Sequence, residues 1–136
     1  MRHTWVLTAL FCLILSLPAL AQEEEGENSD EVRYFDMTPA LVTNYGGPGR
    51  MKYIKAEISI RVDSADAYRA VTHHHPSLRH AMIMLLSRQT DDSIATAEAK
   101  ETLRVAALEE LRGVMESEEG DPMIEDILFS SFFVQK

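Results

Sequence analysis

The sequence predicts an α+β domain in which a mostly antiparallel sheet packs on three helices. Polar and apolar residues alternate over residues 51–62, as in a strand with one buried face, and a run rich in β-branched and aromatic residues closes the chain at 123–135. Between these strands, residues 65–89 and 96–117 repeat apolar side chains at helical spacing, and Pro76 divides the first stretch into two helices.

Length and composition limit the classes of protein to which this chain can belong. Its 136 residues suit one domain, and a hydrophobic content of 46% is too high for a disordered chain. The 13 basic and 22 acidic residues give a net charge of −9, which repels nucleic-acid phosphates and argues against a nucleic-acid partner. One cysteine allows neither an internal disulfide nor a four-cysteine zinc site.

Residues 1–21 have the pattern of a secretory signal peptide. Arg2 precedes a long apolar run, Pro18 breaks that run, and the small residues Ala19 and Ala21 stand where a signal peptidase reads the chain. We therefore expect export to the periplasm and cleavage after Ala21.

The alternative is that residues 5–21 remain uncleaved and form a short inner-membrane anchor. These 17 residues lie at the lower limit of the ~17–25 that span a bilayer. Cleavage would also remove Cys12 and leave 115 residues with a net charge of −10. An exported domain without cysteine relies on its hydrophobic core alone for stability.

Residues 22–31 are predicted to form an acidic linker. This segment (QEEEGENSDE) contains six carboxylates and no aromatic or β-branched residue, so it should be solvated and extended. The folded domain is therefore expected to span residues 32–136.

Short strands are expected at residues 32–35 and 41–43, before a glycine-rich turn at 44–49. The turn (NYGGPG) lacks the lysine and the hydroxyl residue of a phosphate-binding loop, which argues against nucleotide binding there. The strand at 51–62 is expected to bury one face, formed by Ile54, Ala56, Ile58, Ile60 and Val62.

The helix expected at 76–89 carries a core-facing stripe and two further apolar residues, Ile83 and Met84, that point away from it. Such a helix is buried either twice within its own domain or against a partner, so Ile83 and Met84 are the candidate residues of a self-association interface. The expected core-facing residues of this helix and of the helix at 96–117 are Leu78, Met82, Leu85, Leu86, Leu103, Ala107, Leu111 and Val114.

We find no catalytic, metal-binding or cofactor-binding motif, and we expect a protein that is not an enzyme. His73, His74 and His75 diverge by ~100° from one to the next on a helix, and His80 stands ~10.5 Å along the axis from His73. No pair of these histidines has the spacing of a helical metal site. They are expected to be solvated residues near a helix end.

The order of three segments resembles the flagellar basal-body-associated FliL family over residues 32–136. These segments are LLSRQT at 85–90, AKETLR at 99–104 and ILFSSFFVQ at 127–135. Each is weak alone, but their order and spacing together are fairly specific.

The resemblance implies a non-enzymatic periplasmic domain with a stomatin/SPFH-like fold, located at the inner membrane and the flagellar basal body. It implies homo-oligomeric rings that hold the periplasmic linker of the peptidoglycan-binding stator subunit and modulate flagellar rotation and motility. Family members typically keep an uncleaved membrane helix, whereas this chain has a cleavage site after Ala21. A soluble periplasmic binding or chaperone-like module without a motor role is the alternative.

Overall fold

The computed structural model describes residues 31–136, so the predictions for residues 1–21 and for nearly all of the acidic linker lie outside it. The predicted α+β class is confirmed, with an open antiparallel sheet and three α-helices in the described part. Among residues 31–136, none of the helices combines the length and the hydropathy that a membrane-spanning segment requires. The elements are β1 (Arg33–Asp36), β2 (Leu41–Tyr45), β3 (Lys52–Val62), α1 (Ala65–His73), α2 (His75–Ser87), a 3₁₀ turn (Asp92–Ile94), α3 (Ala97–Glu119) and β4 (Asp126–Gln135).

The central strand of the sheet is β3. β4 pairs antiparallel with one edge of β3 along nearly its whole length. β1 and β2 pair with the other edge one after the other, opposite residues 59–62 and 52–56 respectively. The sheet therefore ends in two outer edges, one formed by β1 and β2 and the other by β4.

The predicted alternation of β3 is confirmed. All five residues expected on its core face are buried, whereas Lys55 and Glu57 on the other face are exposed. The helices pack on the buried face, so the sheet has one covered side and one open side. This burial of alternate residues fixes the register of the strand, because a shift by one residue would expose the whole apolar set.

Polar side chains and a glycine define the helix ends. The Ser64 hydroxyl accepts a hydrogen bond from the Ala67 N–H at 3.1 Å, and Thr96 caps α3 in the same way. Gly120, at φ 76°, ends α3 in the left-handed conformation that favours glycine, and its N–H donates to the Glu116 carbonyl at 2.9 Å. α3 therefore continues past residue 117, where the sequence predicted its end.

The prediction of the helical core is mostly correct, although Val114, which packs against the core cluster, lies at its margin. Val114 is half-buried, and Met115 is fully buried instead. The four-residue spacing of Leu103, Ala107 and Leu111 continues to Met115, so the core stripe runs straight along α3. Of the other predicted core residues, Leu85 is half-buried and the remainder are buried.

The last strand begins at Asp126 and not at residue 123 as predicted. Met123 has a φ of 51°, which lies outside the strand region. The Arg112 guanidinium donates hydrogen bonds to the carbonyls of Ile124 at 2.7 Å and Glu125 at 2.9 Å. Side-chain bonds from α3 therefore hold residues 123–125 in a conformation that a run of β-prone residues does not reveal.

Candidate interaction surface

A groove of about 990 Å³ lies on the surface between α2 and α3. We call it the α2–α3 groove. Its apolar lining comes from both helices and comprises Pro76, Ala81, Met84 and Leu85 of α2 and Ala106, Gly113 and Val114 of α3. The two helices present short side chains along part of this surface, which leaves space between them.

Gly113 contributes to this space from the interior of α3. Apart from its chain neighbours and the nearby backbone of α3 itself, a Cβ built on Gly113 would meet no heavy atom of the described residues within 4 Å. Glycine inside a helix costs about 0.5–1 kcal/mol relative to alanine, and no contact in the described fold requires glycine at this position. The missing side chain allows another backbone to come close to α3.

Carboxylates form one wall of the groove. Glu109, Glu110 and Glu118 of α3 line it, and none of the described lining residues is lysine or arginine. His80 of α2 lies among the lining residues. The groove therefore combines an apolar surface with a negative potential, which is complementary to a segment that carries lysine or arginine beside apolar residues.

The two candidate interface residues occupy different environments. Met84 lines the groove and is 45% exposed. Ile83 is half-buried and packs against the core cluster. Of the two apolar residues that lie outside the predicted core-facing stripe of α2, Ile83 therefore contributes to the core and Met84 to the groove.

Sequence reasoning missed the acidic wall and the role of Gly113. Glu109 and Glu110 look like ordinary solvated positions of an amphipathic helix, and only the packing of α2 beside α3 brings them next to Met84. A glycine inside a helix of otherwise good helix formers was the available signal.

The expectation that the histidines are solvated is wrong for His74 and His75. His74 Nε2 lies 2.6 Å from Glu119 Oε1 and joins the start of α2 to the end of α3. The His75 ring packs edge-on against Phe35 with centroids 5.2 Å apart, and its buried Nε2 has no hydrogen-bond partner among the described residues. Within residues 31–136, no group of three His, Cys, Asp or Glu side chains could hold a metal ion.

Two other charged clusters join elements of the fold. Asp91 accepts hydrogen bonds from Lys52 and from the Tyr45 hydroxyl, the latter at 2.9 Å. The bond from Lys52, followed by that from Tyr45, lowers the pKa of Asp91, and burial raises the pKa of Tyr45. Arg104 of α3 pairs with Asp126 at the start of β4. Both clusters connect distant parts of the chain and lie outside the groove.

The described residues thus form an α+β fold with an open sheet and, between α2 and α3, an apolar groove with one acidic wall. Residues 34–135 match the model of the family described as flagellar basal body-associated protein FliL. The chain therefore belongs to the FliL family, as its resemblance indicated.

A relative from Aquifex aeolicus, described as flagellar protein FliL, is 25% identical to this chain over 101 residues. The matched region covers 74% of this chain and 60% of the relative. The similarity therefore extends over most of the described domain but only part of the relative's length.

Proposed function

We propose that this protein is a non-enzymatic accessory factor of the flagellar motor, which associates with the stator in the periplasm and modulates flagellar rotation and motility. The observation that carries the proposal is the family match over residues 34–135. The resemblance of residues 32–136 to this family implies a domain that holds the periplasmic linker of the peptidoglycan-binding stator subunit.

In this proposal, the stator linker binds in the α2–α3 groove. An amphipathic helix of the stator linker would lay its apolar side on Met84, Leu85 and Val114, as in other helix-in-groove complexes. Lysine or arginine along one side of that helix would face Glu109 and Glu110. Close approach of the two backbones is supported by the absence of a side chain at Gly113.

The proposal also includes a stomatin/SPFH-like fold for residues 32–136 and assembly of several copies into a ring. The observed α+β class and open sheet are compatible with that fold. Export through residues 1–21 would bring the domain to the periplasmic side of the inner membrane. N-terminal sequencing of the protein from soluble and membrane fractions tests this part, because cleavage yields a chain that starts at Gln22.

The stator contact is tested by pull-down of the stator's periplasmic segment with the full-length protein. Glu109→Lys reverses a charge on the groove wall, and we expect it to reduce capture at least fivefold. Glu116→Lys makes the same change at an exposed position of α3 outside the groove and serves as the matched control. Equal capture by both variants would remove the groove from the proposal.

The motor role is tested separately by motility. A strain without the gene should swim poorly, and the wild-type gene and Glu116→Lys should both restore swimming, whereas Glu109→Lys should not. Normal swimming of the deletion strain, together with no capture of the stator segment by the wild-type protein, would refute the proposed function.

A further inference from the structure

Beyond Asp126, the outer edge of β4 lacks proline and charged side chains, two of the features that keep edge strands from pairing. No strand in residues 31–136 bonds to it. Its sequence contains no proline and no charged residue between Asp126 and Lys136. Native edge strands are usually short, charged or interrupted by proline, since free N–H and C=O groups can otherwise pair with another strand.

The register identifies the residues whose backbone groups face this edge. The Ile58 carbonyl accepts a hydrogen bond from the Met37 N–H at 2.8 Å, so even-numbered residues of β3 bond toward β1 and β2. Odd-numbered residues of β3 therefore bond toward β4. Each of them is paired with one residue of β4, whose backbone groups point toward β3. The residues of β4 that lie between these paired residues direct their backbone N–H and C=O groups outward, away from β3. These outward residues are Ile127, Phe129, Phe132 and Val134.

The sequence of β4 is a chemical palindrome centred between Ser130 and Ser131. From this centre, both directions read serine, then phenylalanine, then a large apolar residue, then a β-branched residue (ILFS and SFFV). The register shift between Glu57 and Ile58 of β3 lies opposite the same centre. Because of this bulge, residues at equal distances from the centre point to the same face of the sheet.

We propose that two copies of this chain pair antiparallel through β4, with Ser130 of one copy opposite Ser131 of the other. A two-fold contact needs a self-complementary surface, which the palindrome supplies. In this register, residues whose backbone groups point away from β3 lie opposite each other across the contact. For example, Phe129 of one copy lies opposite Phe132 of the other.

The pairing also covers two exposed apolar side chains on the open face of the sheet. Leu128 is 44% exposed and Phe133 is 58% exposed. In the proposed register, Leu128 of each copy lies directly opposite Phe133 of the other. Such cross-strand apolar pairs stabilise an antiparallel sheet.

One outward residue is already engaged within the single chain. The Ile127 N–H donates to Asp126 Oδ1 at 2.8 Å, and the Ile127 carbonyl accepts from Arg104 Nη1 at 3.3 Å. Phe129 and Phe132 have no such contacts from the described residues. Pairing therefore begins at the centre of β4, and the Arg104–Asp126 pair limits its extension toward the start of the strand.

This inference does not rest on the proposed function. A two-fold contact closes with two copies, so β4 would join domains in pairs, and a ring would need a second contact. None of the residues of β4 lines the α2–α3 groove. Pairing and stator capture can therefore fail independently.

Cysteine cross-linking tests the register in the full-length protein carrying Cys12→Ser. Leu128→Cys combined with Phe133→Cys should give a disulfide-linked dimer on mild oxidation, because the two positions face each other across the proposed contact. Within one chain the two cysteines are roughly 16 Å apart along the strand and cannot bond. Leu128→Cys combined with Val42→Cys is the matched control, since Val42 is 58% exposed on the same face of the sheet but lies at the other edge.

A dimer that forms as readily with the control pair, or no dimer with the first pair, would overturn the proposal. Sedimentation of the full-length protein in mild detergent supplies a second measurement. Ser131→Lys brings two like charges together near the two-fold axis and should weaken dimerisation roughly fivefold. Adding Ser130→Glu places opposite charges across the contact and should restore it. A monomeric wild-type protein, or dimerisation unaffected by Ser131→Lys, would also refute the pairing.

Discussion

Replacement of Gly113 by alanine should change the stability of the fold and the binding of a partner in opposite directions. The added Cβ meets no side chain or backbone of another element of the described fold within 4 Å. The helix preference of alanine over glycine should therefore raise the free energy of unfolding by about 0.5–1 kcal/mol. For a domain of this size, 1 kcal/mol corresponds to about 4 °C in Tm. We expect Tm to rise by about 2–4 °C.

The same methyl group occupies the surface on which a partner helix would pack. Overpacking of a close contact costs about 1–3 kcal/mol, so capture of the stator segment should fall at least fivefold. Glu116→Ala, on α3 but outside the groove, should leave capture unchanged. Thermal unfolding followed by circular dichroism and a quantitative pull-down measure the two effects. A lower Tm for Gly113→Ala would show that the fold needs this glycine, and unchanged capture would show that the partner does not contact it.

Three other predictions concern the core, a helix cap and the Asp91 cluster. Leu111→Ala removes a fully buried side chain and should cost about 2–5 kcal/mol in urea unfolding, whereas Val105→Ala at an exposed position of α3 should cost less than about 1 kcal/mol. Thr96→Ala removes the hydroxyl that caps α3 and should lower the free energy of unfolding by about 1 kcal/mol, whereas Thr96→Ser should not. Because the folded state lowers the pKa of Asp91, its contribution to stability is present at neutral pH and is lost as pH falls through the acidic range. In the Asp91→Asn variant, the free energy of unfolding should therefore fall less steeply as the pH is lowered. The same steepness as in the wild-type protein would contradict a stabilising role of the Asp91 carboxylate.

The sequence was sufficient to predict those elements in which the spacing of apolar residues along the chain coincides with the residues that are buried. β3 alternates without interruption, so its buried face could be identified residue by residue. The start of β4 could not be predicted in this way. Residues 123–125 have β-prone side chains, but bonds from Arg112 and the positive φ of Met123 hold them outside the strand. Such bonds depend on the position of α3, which local sequence does not specify.

The candidate site was predictable only in part, for the same reason. The excess of apolar surface on α2 indicated Met84, which lines the groove. The carboxylates opposite it belong to α3, and their relevance arises from the packing of the two helices. Histidine spacing likewise gave no indication that His74 would reach Glu119, which lies 45 positions further along the chain.

The α2–α3 groove and the edge of β4 should act as independent surfaces. The groove is built from side chains of two helices, whereas the β4 contact uses backbone groups that side-chain substitutions in the groove leave in place. Substitutions at separate sites without shared partners usually add within about 0.5 kcal/mol. A protein carrying both Gly113→Ala and Ser131→Lys should therefore lose stator capture and dimerisation by the same factors as the single variants. A marked departure from additivity would mean that dimerisation changes the groove, and thus that partner binding is coupled to the pairing of two copies.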